Sequence, residues 1–255
     1  MAVMVSLDPR YRPIPQLLDI AAFMAAETQD LLHERYGGYP TWSVDLNADP
    51  PQFRFESPER SATFRPHFVG STSAHTGTWM WGWNNINRFP EPAVALAGTL
   101  RRIGTDLGDP DLTTPTLPLA GRDNLPNVLV AAAQAVVGEY AWYRAPTDDA
   151  GSAAWFVLAA DPAEFTLGES KPHILGKAII NALSVGQIVD HRAALHHYAE
   201  QRGGITVTET RGANPAGPLT VVLSMAAGDL TVDFDDAGHI SRTRNVLNRP
   251  EDLHR

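Results

Sequence analysis

Apolar residues recur at helical spacing through Leu17, Leu18, Ile20, Ala21, Met24, Ala25, Leu31 and Leu32, and the run stops at Gly37-Gly38. The period then falls to two. Segments 41–46, 52–56, 62–69 and 76–84 alternate as strands do, and Asn47-Ala48-Asp49-Pro50-Pro51 and Ser57-Pro58-Glu59-Arg60 supply turn chemistry between them. This pattern predicts an antiparallel meander. Pro90-Glu91-Pro92 opens a second helix, because proline is tolerated in a first turn, and its stripe is Ala93, Leu96, Ala97, Leu100, Ile103 and Leu107. Another helix is predicted from Asn124 and Pro126, carrying Val128, Leu129, Ala132, Val136 and Tyr140, and residues 155–159 read as a returning strand.

The stretch 161–172 is irregular and reads as a boundary. Helical patterns follow near 174–183 and 188–200, closed by Gly203-Gly204. Strands are then predicted over 205–210, 219–226, 230–234 and 240–246, with Ala227-Gly228 and Asp235-Asp236-Ala237-Gly238 as hairpin turns. Both halves read as a helix, a glycine pair and a set of strands. The expectation is an α+β chain of antiparallel meanders packed by helices, divided at 1–160 and 161–255 or forming one continuous domain.

Within the meander, Trp79-Met80-Trp81-Gly82-Trp83-Asn84 places three indoles at alternate positions, so a strand would project all three from one face. Two readings follow. A covered sheet face wants large residues at every second position, and the helices at 14–36 and 92–107 are available to cover it. The alternative is a binding platform, with Trp79, Trp81 and Trp83 as its floor and Ser71, Ser73, His75 and Asn84 fixing a ligand's orientation from a small, polar loop over 70–77.

Composition narrows the partners. Lys and Arg total 20 against 29 Asp and Glu, a net charge of −9, which disfavours nucleic acid and anionic membranes. Absence of cysteine removes disulfides, thiolate nucleophiles and cysteine-bound zinc. Residues 1–13 contain no apolar run of secretory length, and no segment approaches the ~20 apolar residues that span a bilayer. A cytoplasmic protein is expected.

Chemical motifs are scarce. His191, His196 and His197 lie beside Asp190 and Glu200, but the histidine spacing does not bring two ligands to one ion, and His196–Glu200 reads as a helix-surface pair. No Gly-x-Ser-x-Gly elbow, phosphate loop or dinucleotide fingerprint occurs. Asp233, Asp235 and Asp236 lack the remainder of a calcium loop and read as turn residues. His75, Asp45, Ser71 and Ser73 could converge if the strands paired suitably. No catalytic residue, metal or cofactor is expected.

Gly70-Ser71 with Ser73, followed by Thr78-Trp79-Met80-Trp81-Gly82-Trp83-Asn84, resembles the core signature of a bacterial family of unknown function. Trp42-Ser43-Val44-Asp45-Leu46, Tyr143-Arg144-Ala145-Pro146 and Trp155-Phe156 are similar to that family too, so the resemblance covers about residues 15–160. It implies a cytoplasmic bacterial protein and carries no catalytic residue. The C-terminal third is similar only in layout to cystatin-like or nuclear-transport-factor-like folds. The leading expectation is a non-enzymatic protein-binding protein, immunity-type or regulatory, with a protein partner. The alternative is a small-molecule-binding protein or enzyme whose pocket lies beside the 79–83 strand.

Overall fold

The computed structural model describes residues 6–39, 41–160, 165–185, 188–211 and 219–247. The N-terminal lead and the irregular stretch 161–172 thus fall partly outside the described residues. Its contacts form two compact units, one from Met1–Leu18 and Gln29–Thr166, the other from Asp19–Thr28 and Leu167–Arg255. The class is α+β with antiparallel sheets.

Helix α1 (Pro13–Tyr36) carries prolines in its first turn, where their missing N–H costs nothing, and ends at Gly37. In the first unit, β1 (Thr41–Asp45), β2 (Gln52–Glu56), β3 (Ser61–Ser73), β4 (Thr78–Trp81) and β5 (Thr116–Pro118) pair in chain order. β6 (Ala141–Pro146) pairs β7 (Ala153–Ala159), and β7 pairs β3. Gly70, Ser71 and Thr72 pair both with β4 and with β7, so those two strands flank the end of β3 on opposite edges. Pro66 falls between the residues of β3 that pair β2 and those that pair β4, where a strand flanked on one side tolerates proline.

Helices α2 (Glu91–Leu107) and α4 (Leu125–Val137) each end at a glycine in the left-handed region, Gly108 and Gly138. That stop leaves Tyr140 outside the predicted helix. The short helix α3 (Pro110–Thr113), β5 and β6 escaped the sequence pattern, α3 and β5 because they are brief and β6 because its alternation is interrupted by Arg144 and Pro146. The core between these elements is built from Phe53, Phe55, Phe64, Phe68 and Phe156, packed with Leu32, Leu46 and Leu158.

Two readings of the aromatic segment change. The predicted 76–84 strand stops at Trp81, and Gly82–Asn84 form a 3-10 turn. Gly82 packs so closely on β3 that a Cβ there would lie 2.5 Å from the Phe68 carbonyl oxygen. Asn85, at φ 35°, then fixes the exit, its side chain accepting from Phe89 N at 2.8 Å and donating to Phe89 O at 2.9 Å. In addition, β3 runs on through Ser73, so residues 70–73 are strand rather than loop.

The second unit places α5 (Pro172–Val185) and α6 (His191–Arg202) with a sheet of order β11-β10-β9-β8, formed by Thr206–Arg211, Leu219–Met225, Gly228–Phe234 and Ile240–Leu247 in chain order. β9 and β10 alternate strictly between buried and half-buried positions, as one covered face requires. Its two buried carboxylates are paired: Asp19 accepts from Val189 N at 2.7 Å and Asp190 N at 3.1 Å, and Glu27 accepts from Tyr198 Oη and Arg202 Nε at 2.7 and 3.0 Å.

Candidate binding site

The tryptophan strand builds an interior, not a surface. Trp79 and Trp81 are 0% and 1% exposed. Register places Thr72 beside Trp79, Gly70 beside Trp81 and Trp155, and Trp155 beside Arg144, so these side chains share one sheet face. On it the indoles form a continuous run. Trp79 meets Trp81 edge-on at 5.5 Å, Trp79 lies 6.4 Å from Trp155, and Trp155 stacks on Trp142 at 5.6 Å. Trp81 Nε1 donates to Asp111 O at 2.9 Å, and Trp155 Nε1 donates to Thr72 Oγ1 at 3.2 Å. Gly70 is required there, because a Cβ would fall 2.4 Å from the Trp79 ring.

The other residues singled out from sequence do not converge on that run. Ser71 and Ser73 alternate with Gly70 and Thr72 and therefore face the opposite side of the sheet. Ser73 Oγ accepts from Thr76 N at 3.3 Å within the hairpin turn. His75 is exposed, with Nε2 3.5 Å from Asp148, while Asp45 accepts from Asn47 N and Ala48 N on β1's own turn. Trp83 and Asn84 lie half-buried in the 3-10 turn, with the Arg101 guanidinium 4.4 Å from the Trp83 ring centre.

Elsewhere, among the described residues, no group of His, Asp and Glu could hold a metal. His196 pairs with Glu209 at 2.7 Å rather than with Glu200, and Arg192 grips the same carboxylate, which holds Glu209 down at about 2. Asp235 accepts from Ala237 N and His239 N, the turn role expected of it. Arg12, Asp109, Asp111 and Arg122 form an ion-pair cluster: Arg122 Nη2 lies 2.7 Å from Asp111, and Arg12 reaches buried Asp109 at 3.2 Å. That cluster fixes α3, whose Asp111 carbonyl receives the Trp81 indole.

A second aromatic cluster is open. Between the end of α1 and the β1–β2 hairpin lies a cavity of about 210 Å³, lined by Tyr36, Tyr39, Trp42, Phe55 and Tyr143 with Leu32, Gln29, His33 and Gly37. Tyr36 stacks on Phe55 at 5.6 Å and meets Tyr39 edge-on at 5.4 Å. Trp42 stacks on Phe53 at 5.8 Å and meets Tyr143 at 5.9 Å and 60°. Gln29 Oε1 accepts from Trp142 N at 3.3 Å, which fixes the amide at the pocket's inner wall. Burial raises the Tyr143 phenol above its ordinary value, so it stays neutral and acts only as a weak donor or acceptor. Trp42 and Tyr143 both stand in family-like segments of the sequence, but no local pattern joins them. The available signal was density, five aromatic residues between positions 36 and 55.

No curated protein and no solved structure matches the chain significantly. Residues 15–161, which contain both aromatic clusters and more than half of the chain, match one family model, and the protein therefore belongs to the family of unknown function DUF6882.

Proposed function

We propose that this is a non-catalytic, cytoplasmic protein-binding protein, of regulatory or immunity type. It takes an extended segment of a protein partner along β1 and seats one anchoring side chain in the aromatic pocket. The observation that carries this reading is the position of the pocket. Trp42 of β1 forms one wall, and among the described residues β1 pairs only with β2, leaving its outer backbone edge available to an added strand. β1 is also open to solvent, with Val44 at 37% exposure.

Size separates this reading from a metabolite site. A cavity of about 210 Å³ is smaller than the roughly 300–1,000 Å³ typical of small-molecule pockets. It suits one inserted group, the form that anchoring residues take at protein interfaces. The lining offers rings, one amide and one imidazole, with no nucleophile held by a base. The net charge of −9 favours a partner with a basic surface and disfavours nucleic acid. No helix among the described residues is long and apolar enough to cross a membrane.

The test is affinity capture from the native host with wild-type protein, His33→Trp and Val44→Lys. His33 is exposed at the pocket mouth, so a tryptophan there plugs the cavity without entering the core. Lysine on an edge strand discourages strand addition. The reading expects a protein held by wild type and lost from both variants. The same proteins on all three would overturn it.

A further inference from the structure

We propose, building on the partner reading above, that the group anchored in this pocket is a trimethylammonium, carried by a methylated lysine of the added segment. The arrangement of the rings selects the shape of that group. A flat aromatic or heterocyclic ligand needs a slot between two parallel ring faces. Here parallel partners are already supplied within the protein, to Tyr36 by Phe55 at 4° and by Phe165 at 29°, and to Trp42 by Phe53 at 9°. Tyr39 and Tyr143 stand steeply to these stacks, Tyr39 against Tyr36 at 84° and Tyr143 against Trp42 at 60°. Steep walls of π-systems make a box for a compact, rounded group.

The charge of that group follows from what else lines the box. Ring faces carry negative potential and attract cations, and this lining includes no lysine or arginine that would oppose one. It also includes no carboxylate. A primary ammonium or guanidinium entering the box would surrender several hydrogen bonds to water and recover few from Gln29, His33 and the phenols. A trimethylammonium has no N–H to satisfy and presents methyl groups to the rings, so it bears the smallest desolvation cost of the cations. The acidic chain adds a long-range attraction of the same sign.

The experiment titrates the full chain with choline chloride, with the neutral isostere 3,3-dimethylbutan-1-ol, and with a short alternating Thr/Val peptide bearing a central trimethyllysine. The reporter is the Trp42 indole N–H signal in NMR spectra, assigned with a Trp42→Leu variant whose fold is checked by near-ultraviolet circular dichroism. Choline is expected to shift Trp42 and to bind about tenfold tighter than the isostere, the advantage a positive charge gains over ring faces. The peptide is expected to bind tighter than choline, and Val44→Lys to reduce it to choline's affinity.

Equal affinity for choline and its isostere overturns the inference, as does an unshifted Trp42. A peptide no tighter than choline overturns the partner-borne source and assigns the box to a free quaternary amine. If choline fails while host-protein capture still disappears in His33→Trp, the partner reading stands and only the cation is wrong.

Discussion

Two aromatic clusters in the same unit, drawn from the same residue types, have opposite fates. The tryptophan run over β4 and β7 is closed: Trp79, Trp81 and Trp155 are each at most 5% exposed, and Trp81 and Trp155 donate their indole N–H inside the protein. The cluster around Trp42 is open, with rings that pack edge to face yet leave about 210 Å³ among them. The difference lies in what covers each. The first lies in the middle of a sheet whose strands are paired on both sides at Gly70–Thr72, whereas the second sits at β1, an edge with one paired neighbour among the described residues. Richness in tryptophan therefore says that a surface must be covered. Position in the sheet says whether the protein covers it itself.

The largest effect should come from emptying the closed cluster. Trp81→Ala removes a buried indole and its bond to Asp111 O, and is expected to cost about 3–5 kcal/mol, the range for large aromatic truncations in cores. Denaturant unfolding at fixed m-value would measure it. A cost below about 1 kcal/mol would mean that the run is not a packed core. Gly70→Ala should come next, at about 1–3 kcal/mol, because its Cβ must displace the Trp79 ring or the Met80 carbonyl.

Much of the architecture was legible in the residue pattern because its signals are local. Proline in first turns, glycine stops at Gly37 and Gly203, and alternation in β9 and β10 each record a rule that acts within a few residues. The readings that changed depended on distant atoms. Alternation ran on past Trp81 in sequence, but the chain turns at Gly82 because β3 lies against it. The pocket was illegible for the same reason. Its rings come from α1, the segment after it, β1, β2 and β6, and β6 itself was not recognised. Ser71, Ser73 and the tryptophans were grouped because they are close along the chain, yet strand alternation sends the serines to the other face.

A pH effect sharpens the contrast from the closed side. His67 on β3 has both ring nitrogens buried without a partner, and burial, reinforced by Arg65, lowers its pKa to about 4. In the unfolded chain a histidine titrates near 6.5. The folded state therefore prefers the neutral ring. The stability this contributes is fully present above about pH 6.5 and is lost progressively as pH falls toward 4. His67→Phe keeps an aromatic ring and removes the titration, so its stability should vary less across that window than wild type. Thermal unfolding at pH 7.5, 6, 5 and 4 checks this, and parallel curves for the two proteins would refute it.

The smallest effect is expected at the open cluster. His33→Trp and Val44→Lys alter exposed side chains, and each should change stability by no more than about 0.5 kcal/mol. A larger loss would mean that the pocket mouth or the β1 edge bears on the fold itself.

The contrast is tested most directly by indole hydrogen exchange, followed for all six tryptophans in one NMR experiment with each signal assigned by a Trp→Phe variant. Slow exchange is expected at Trp79, Trp81 and Trp155, fast exchange at Trp42, and a choline-induced shift confined to Trp42. Rapid exchange at Trp79 and Trp81, or a shift there instead of at Trp42, would contradict it and return the binding surface to the tryptophan strand.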